Sequence, residues 1–195
     1  MKGGEVFMKR DQALELLHKH MKNENLRRHC YAVEAVMGSL AKRFADDEEK
    51  WRIVGLLHDA DYEETKDDPK NKHTKEVIKW LEKIDAESDI KEAIISHAWG
   101  YVEGVPEPRE KMGWALYCCD ELTGLIVAVT LVKPDKKLAS VTTDSVLKKW
   151  NSPSFAAGVD RKQIEKCTPR LGIPLREFIE IALSALQGIS EELGL

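Results

Sequence analysis

The sequence predicts an all-α fold. Apolar residues recur every three to four positions through most of the chain, which is the period of a helix with one buried face. No segment shows the strict alternation of apolar and polar residues that is typical of a half-buried strand. A Gly/Pro segment over residues 100–108 and the prolines at 134 and 174 divide the helical stretches. We therefore expect a helical bundle.

The first half of the chain is expected to form five helices. Asp11 is a suitable N-cap for the first helix, and the second carries His29 on the same apolar face as Val33 and Leu40. The third ends at the dipeptide His58-Asp59, after which a polar loop over 61–69 follows. The predicted ranges are about 11–22, 24–44, 47–59, 72–83 and 88–98.

The second half opens with a long helix over about 109–132, on which Asp120 lines up with Leu116 and Val127. Shorter helices are expected over 143–150 and 160–166. A final amphipathic helix over about 174–193 would have Pro174 in its first turn, where a missing N–H costs nothing.

Composition limits the function classes. The chain has 195 residues and a formal net charge of -4, so there is no basic footprint for long nucleic acid. We expect no membrane span, since no apolar run approaches about 18 residues. No signal peptide is recognisable. The cysteines form no CxxC pair and are expected to be reduced thiols: Cys30, Cys118, Cys119 and Cys167. These observations predict a cytoplasmic protein.

The chain is expected to hold an N-terminal tail over 1–10 and a single domain over 11–195. The codons for Lys2-Gly3-Gly4-Glu5 can resemble a bacterial ribosome-binding site just before Met8. We hypothesise that translation begins at Met8 rather than Met1. The alternative is a short disordered tail.

Polar residues on the predicted apolar faces point to a metal site. One such residue stands on each of five different predicted helices, and helices that share a core bring their apolar faces together. Asp59 follows directly after one of them and could reach the same place or bridge two ions. Imidazole nitrogen and carboxylate oxygen are suitable ligands for divalent transition metals. The five residues are His29, His58, His73, His97 and Asp120.

Each of these residues also has a simpler interpretation. A lone histidine on an apolar face is more often a hydrogen-bonded core residue than a ligand, and Asp120 could accept a bond from a buried hydroxyl. Five such coincidences on five helices favour one shared site.

The ordered pattern His29…His58-Asp59…Asp120 resembles the HD-domain metal-dependent phosphohydrolase superfamily. Segments 57–62 and 120–125 look like those of a small bacterial subgroup described as HD or HDIG-domain proteins. The resemblance covers about residues 24–131. It implies an HD-domain helical bundle, with the additional C-terminal helices as an accessory part.

The resemblance implies a four-ligand site and further histidines for a second ion. Asp59 would be the bridging and catalytic carboxylate. One or two divalent ions would bind, with Mn, Fe, Zn, Co, Ni and Mg all open. Ala60-Asp61 departs from the Ile-Gly form of the family motif. The implied ligands are His29, His58, Asp59 and Asp120, with His73 and His97 for the second ion.

The function that the resemblance implies is hydrolysis of a phosphomonoester or phosphodiester by a metal-activated water. The substrate would be a nucleotide or another small phosphorylated molecule. Two alternatives stay open: a non-catalytic metal- or nucleotide-binding regulatory module, and an HD-fold di-iron oxygenase. Candidate phosphate-binding residues are Arg28, Lys75, Lys133 and Lys136.

Overall fold

The computed structural model describes residues 8–152 and 154–195. Within those ranges the chain forms helices joined by turns and no strand, which confirms the predicted all-α class. A short 3₁₀ turn, Leu138–Ser140, was not predicted. The α-helices are α1 (Arg10–His20), α2 (Glu24–Phe44), α3 (Glu48–Leu57), α4 (Tyr62–Thr65), α5 (Pro69–Lys72), α6 (Lys75–Lys83), α7 (Ser88–Ser96), α8 (Lys111–Leu131), α9 (Thr143–Trp150), α10 (Arg161–Glu165), α11 (Cys167–Leu171), α12 (Leu175–Gly188) and α13 (Ser190–Leu193).

Two long helices organise the bundle. α2 packs against α3, α8 and α12, while α8 also packs against α7, α10 and α11. Apolar side chains from all of these helices form one contiguous core. The C-terminal helices therefore complete the same core as the first half of the chain.

A close approach of α2 and α3 fixes the position of the His58-Asp59 dipeptide. A Cβ atom on Gly55 would lie 2.9 Å from the backbone of Val33 and Glu34 in α2, so only glycine fits without a shift. His58 follows three residues later, immediately after α3, and is fully buried. The absence of a side chain at Gly55 thus allows the close contact that places the dipeptide beside α2.

The region between α3 and α6 differs from the prediction. The expected loop over 61–69 contains the short helix α4, a second short helix, α5, begins at its end, and α6 begins at Lys75 rather than near 72. His73 therefore lies in the turn before α6, so its predicted place on a helical stripe is wrong. Thr74, with φ of 68°, is left-handed and cannot continue a helix.

The predicted last helix is divided in two. α12 ends at Gly188 and α13 begins at Ser190, with Ile189 between them in a non-helical conformation. Pro174 is the N-cap of α12 rather than part of its first turn.

The predicted start at Met8 and most of the predicted tail concern residues 1–7, which lie outside the described residues. Met8 itself is buried against the core, and α1 begins at Arg10.

Within the described residues, α8 is long and apolar enough to cross a membrane by length and composition, contrary to the sequence-based expectation of no such run. However, 67% of its most apolar window is buried inside the molecule, as in the core helix of a bundle. The four cysteines are buried and free of disulfides.

Candidate metal centre

The structure brings all six predicted ligands to one place. His29 comes from the first turns of α2, Asp120 from the middle of α8, and the His58-Asp59 pair from the end of α3. The other two are His73, in the turn before α6, and His97, the residue that follows α7. The cluster therefore depends on five separate parts of the chain.

One half of the cluster surrounds His29. Its Nε2 lies 3.2 Å from Nε2 of His58 and 2.9 Å from Oδ1 of Asp120. Asp59 completes this half, with Oδ2 3.7 Å from His29 Nε2 and 3.6 Å from His58 Nε2. Ligand atoms of His29, His58 and Asp120 all lie within 4.8 Å of one another, so a single ion could contact them together.

The other half surrounds His73 and His97, whose Nε2 atoms are 3.1 Å apart. Asp59 Oδ1 lies 3.2 Å from His73 Nε2 and 3.5 Å from His97 Nε2. The two oxygens of Asp59 thus face different halves of the cluster, which is the arrangement that a bridging carboxylate needs. His58, Asp59 and His97 also form a group with ligand atoms within 4.8 Å, so the two halves are contiguous.

Two of the four histidines are oriented by backbone carbonyls. His58 Nδ1 lies 2.8 Å from the carbonyl oxygen of Gly55, and His97 Nδ1 bonds the carbonyl oxygen of Ile94. A carbonyl only accepts, so Nδ1 carries the proton in both rings. In the neutral form of these rings each Nε2 then keeps a lone pair directed at the cluster, as metal-binding histidines require.

Side chains orient the other two histidines. His73 Nδ1 lies 3.1 Å from Oδ1 of the buried Asp61. His29 Nδ1 lies 3.5 Å from the Thr123 hydroxyl, which donates its own proton to the carbonyl of Asp120 and is left as an acceptor. These contacts favour the same tautomer, with Nε2 of each ring facing the carboxylates.

The donor set fits a divalent cation. With both rings neutral, Nε2 of His29 and Nε2 of His58, 3.2 Å apart, would have no proton between them and would repel each other. The carboxylates of Asp59 and Asp120 beside them are largely withdrawn from water and need compensating positive charge. A cation between the rings satisfies both demands, and nitrogen–carboxylate sets suit Zn²⁺, Mn²⁺ or Fe²⁺.

The electrostatics of the cluster favour positive charge at its centre. Burial opposes protonation of His58, but the carboxylates of Asp59 and Asp120 outweigh it and raise its pKa to about 9. For His73 burial is likewise outweighed by Asp59 and Asp61, which raise its pKa to about 10. Burial and the neighbouring imidazolium charges lower the pKa of His97.

The pKa values of the two carboxylates, Asp59 and Asp120, are shifted in the opposite direction. Although burial opposes ionisation, the charge of His58 and bonds from His73 and His97 hold the pKa of Asp59 well below its usual value. Bonds from His29 and His58 similarly lower the pKa of Asp120. Both carboxylates are therefore ionised at neutral pH.

A cleft of about 500 Å³ opens onto the cluster. Asp59, His73, His97 and Asp120 face into it, so the cluster is accessible from that side. Among the described residues that line this cleft there is no lysine or arginine. The rest of its wall is largely aromatic and acidic: Tyr62, Trp99, Tyr101, Tyr117, Glu121, Asp160 and Gln163, together with Ala98, Gly100 and Gly158.

The sequence prediction missed Glu121, which forms part of this wall. Its Oε2 accepts a hydrogen bond from the backbone N–H of Asp160 at 2.9 Å and so ties α8 to the segment before α10. Burial, with the charge of Asp120, raises the pKa of Glu121 to about 7. Its position directly after Asp120 was visible in the sequence, but the partner across the cleft was not.

The cleft does not include the four residues predicted to bind phosphate. Arg28 lies on another face of α2 and lines a surface hollow with Glu24 and Glu192. Lys75 lines a separate groove beside α6. The other two, Lys133 and Lys136, belong to the turn that follows α8.

Comparison with protein families places residues 26–115 in the HD domain. The match includes five of the six converging residues and ends before Asp120. No curated protein matches the chain. The bundle, the His/Asp cluster and the family match agree: residues 26–115 of this chain are an HD domain, the unit of a family whose members are mostly metal-dependent hydrolases.

Proposed function

We propose that the protein is a metal-dependent phosphohydrolase that cleaves the phosphoester of a small molecule, such as a nucleotide. The observation that supports this best is the position of Asp59. Its two oxygens face two histidine groups, and the carboxylate also faces the open cleft. The substrate would therefore meet the cluster at its bridging ligand.

The ligand assignment follows from the two halves of the cluster. His29, His58 and Asp120 would hold one ion, while His73 and His97 would hold a second, with Asp59 shared by both. An ion bound there lowers the pKa of a bound water from 15.7 to about 7 and polarises a phosphoryl oxygen.

The residues of this chain would position the metal ligands and line the cleft that receives the substrate. Because the four rings are oriented through Nδ1, their Nε2 atoms are placed before any ion binds. The aromatic wall of the cleft offers apolar surface to the organic part of a substrate. Asp59 is the catalytic residue in this proposal, because it would contact both ions at the reacting face.

The proposal is tested by metal analysis joined to an activity screen. Protein purified anaerobically is assayed for bound metal and then for release of phosphate from phosphomonoesters and phosphodiesters. We expect a divalent metal and turnover, with Asp59→Ala abolishing both. Asp67→Asn, an exposed carboxylate in the loop after α4, serves as the control and keeps both.

Three outcomes would contradict the proposal. Retention of metal and full rate in Asp59→Ala would show that the cluster is not the site. Binding of nucleotide without phosphate release, at saturating metal, would indicate a regulatory module. Iron with oxygen-dependent product formation would indicate an oxygenase.

A further inference from the structure

Asp61 is a buried carboxylate beside the cluster that has no ligand role in the proposal above. Its side chain is fully buried. Oδ1 lies 3.1 Å from Nδ1 of His73 and accepts a bond from the N–H of Thr74 at 3.2 Å. Oδ2 accepts bonds from the N–H groups of Glu76 and Val77 at 3.1 and 3.3 Å. One carboxylate thus satisfies four donors.

These bonds join the turn that carries His73 to the start of α6. The helix has no cap from its own N-cap residue, Thr74, and Asp61 supplies that cap from a different part of the chain. The same carboxylate holds Thr74 in a left-handed conformation, which is unfavourable for a β-branched residue. The turn is therefore fixed by Asp61 and not by local preference.

We propose that Asp61 is the positioning residue of the second metal half-site. A carboxylate that accepts the Nδ1 proton of His73 fixes the tautomer of the ring and makes Nε2 a stronger donor toward a metal. Nε2 is then directed at Oδ1 of Asp59 and at His97. Through this contact Asp61 decides whether the protein holds a second ion.

The first half-site does not depend on Asp61. His58 is oriented by the carbonyl of Gly55, and His29 by the hydroxyl of Thr123. Asp120 belongs to α8, which is a separate element. Loss of the Asp61 carboxylate should therefore weaken the second ion selectively.

The test is a titration with Mn²⁺, in which free Mn²⁺ is followed by electron paramagnetic resonance. It compares the wild-type chain, Asp61→Asn and the control Asp67→Asn. Asparagine keeps the size of the side chain but has only one acceptor oxygen. If that oxygen faces His73, the amide NH₂ faces the N–H groups of Glu76 and Val77.

We expect two ions in the wild-type chain and in the control. In Asp61→Asn the affinity for the second ion should fall by about 10- to 100-fold while the first is unchanged. The inference would be overturned if Asp61→Asn bound each of the two ions as tightly as the wild-type chain does. A wild-type chain that binds only one ion would also overturn it.

A second variant distinguishes a purely structural role of Asp61 from its proposed role in orienting the His73 ring. Thr74→Gly removes the strain of the left-handed turn, because glycine adopts positive φ freely. If Asp61 orients the imidazole, Asp61→Asn/Thr74→Gly regains thermal stability but still binds the second ion weakly. If second-ion affinity returns with stability, Asp61 merely holds the turn and the inference is wrong.

The inference rests on the proposed metal centre. The titration shows whether the metal centre itself or only the role of Asp61 is wrong. A wild-type chain that binds no Mn²⁺, Zn²⁺ or Fe²⁺ contradicts the metal centre itself. A wild-type chain that binds two ions, with no selective loss in Asp61→Asn, leaves the metal centre intact and contradicts only the role of Asp61.

Discussion

His58 and His29 direct their Nε2 atoms at each other across 3.2 Å, while both Nδ1 atoms are engaged by acceptors on the opposite side. This contact is stable only with positive charge between the rings, supplied by a proton or by a metal ion. The two sources respond differently to pH, and the difference can be measured.

The metal-free protein should lose stability as pH rises above neutrality. The folded pKa of His58 is about 9 and that of His73 about 10, against an ordinary value of 6.5. Between pH of about 6.5 and 9 the folded state therefore binds more protons than the unfolded state, and the free energy of unfolding falls with rising pH. Urea unfolding with a chelator, at several pH values in this window, measures the slope.

Saturating metal should remove that slope, because the ion takes the place of the protons on Nε2. The free energy of unfolding of the loaded protein would then stay nearly level over the same pH window. A chelated and a loaded protein with the same slope would contradict the prediction. His73→Gln, which lacks the titrating ring, should reduce the slope of the chelated protein.

Loss of single ligands should separate the two halves of the cluster. His29→Ala removes a ligand that contacts only the first half, so one ion should bind more than about 100-fold more weakly while the second site stays partly filled. His73→Ala should give the reverse pattern. Calorimetric titration with Zn²⁺ measures both constants.

The control for the ligand variants is His18→Ala. His18 bonds the hydroxyl of Tyr31, outside the cluster, so its removal should leave both metal affinities unchanged. If His29→Ala and His73→Ala instead weaken both ions equally, the cluster acts as one indivisible site and the division into halves is wrong.

The cleft should favour substrates with a single phosphate. Two divalent ions with the carboxylates of Asp59 and Asp120 leave about two positive charges, which match one phosphate dianion. Further phosphates would meet a wall that includes Glu121 and Asp160. We expect kcat/KM for a nucleoside monophosphate to exceed that for its triphosphate by about tenfold or more, a difference of about 1.4 kcal/mol.

A charge on the lip of the cleft should change this preference. Tyr101 lines the cleft and is 46% exposed, so Tyr101→Lys places a cation there without disturbing the core. The variant should lower the ratio of kcat/KM for the monophosphate to kcat/KM for the triphosphate, and added salt should weaken this effect. Tyr101→Gln, which removes the ring without adding charge, should not lower this ratio. A wild-type preference for triphosphates would contradict the argument.

The sequence predicted that the His and Asp residues of the cluster would converge, but it did not predict the residues around them. His29 stands on a long helix with a clear 3.6-residue apolar period, so its side of the helix was predictable. The helix that carries Asp120, α8, is apolar on nearly all sides, so its period alone does not fix which way Asp120 faces. His73 lies in a turn held by Asp61 through bonds between distant segments, and no periodicity records such bonds. Its proximity to the cluster was predicted correctly, whereas its place on a helix was not.

The predicted phosphate-binding residues show why adjacency along the chain is a poor guide. Arg28 precedes His29, but successive residues on a helix point about 100° apart, and Arg28 faces away from the cleft. Lys133 follows Asp120 by thirteen residues, which is about 20 Å along a helix. The actual wall, with Trp99, Tyr117 and Asp160, is assembled from three segments that only the fold brings together.

The contact between α2 and α3 at Gly55 should be essential for stability. A Cβ at this position would lie 2.9 Å from backbone atoms of Val33 and Glu34, which cannot move aside as a flexible side chain could. Gly55→Ala should therefore lower the free energy of unfolding by about 1–3 kcal/mol. It should also weaken metal binding, because the carbonyl of Gly55 orients His58.

Gly124→Ala is the matched control for Gly55→Ala. Gly124 lies inside α8, and its Cβ would meet only Val159, at an ordinary 4.0 Å. Because glycine is unfavourable within a helix, this substitution should raise the free energy of unfolding by about 0.5–1 kcal/mol. Urea unfolding of both variants gives the two values. The same change in amino acid should thus have opposite signs at the two positions, and a stabilising Gly55→Ala would show that α2 and α3 can separate without cost.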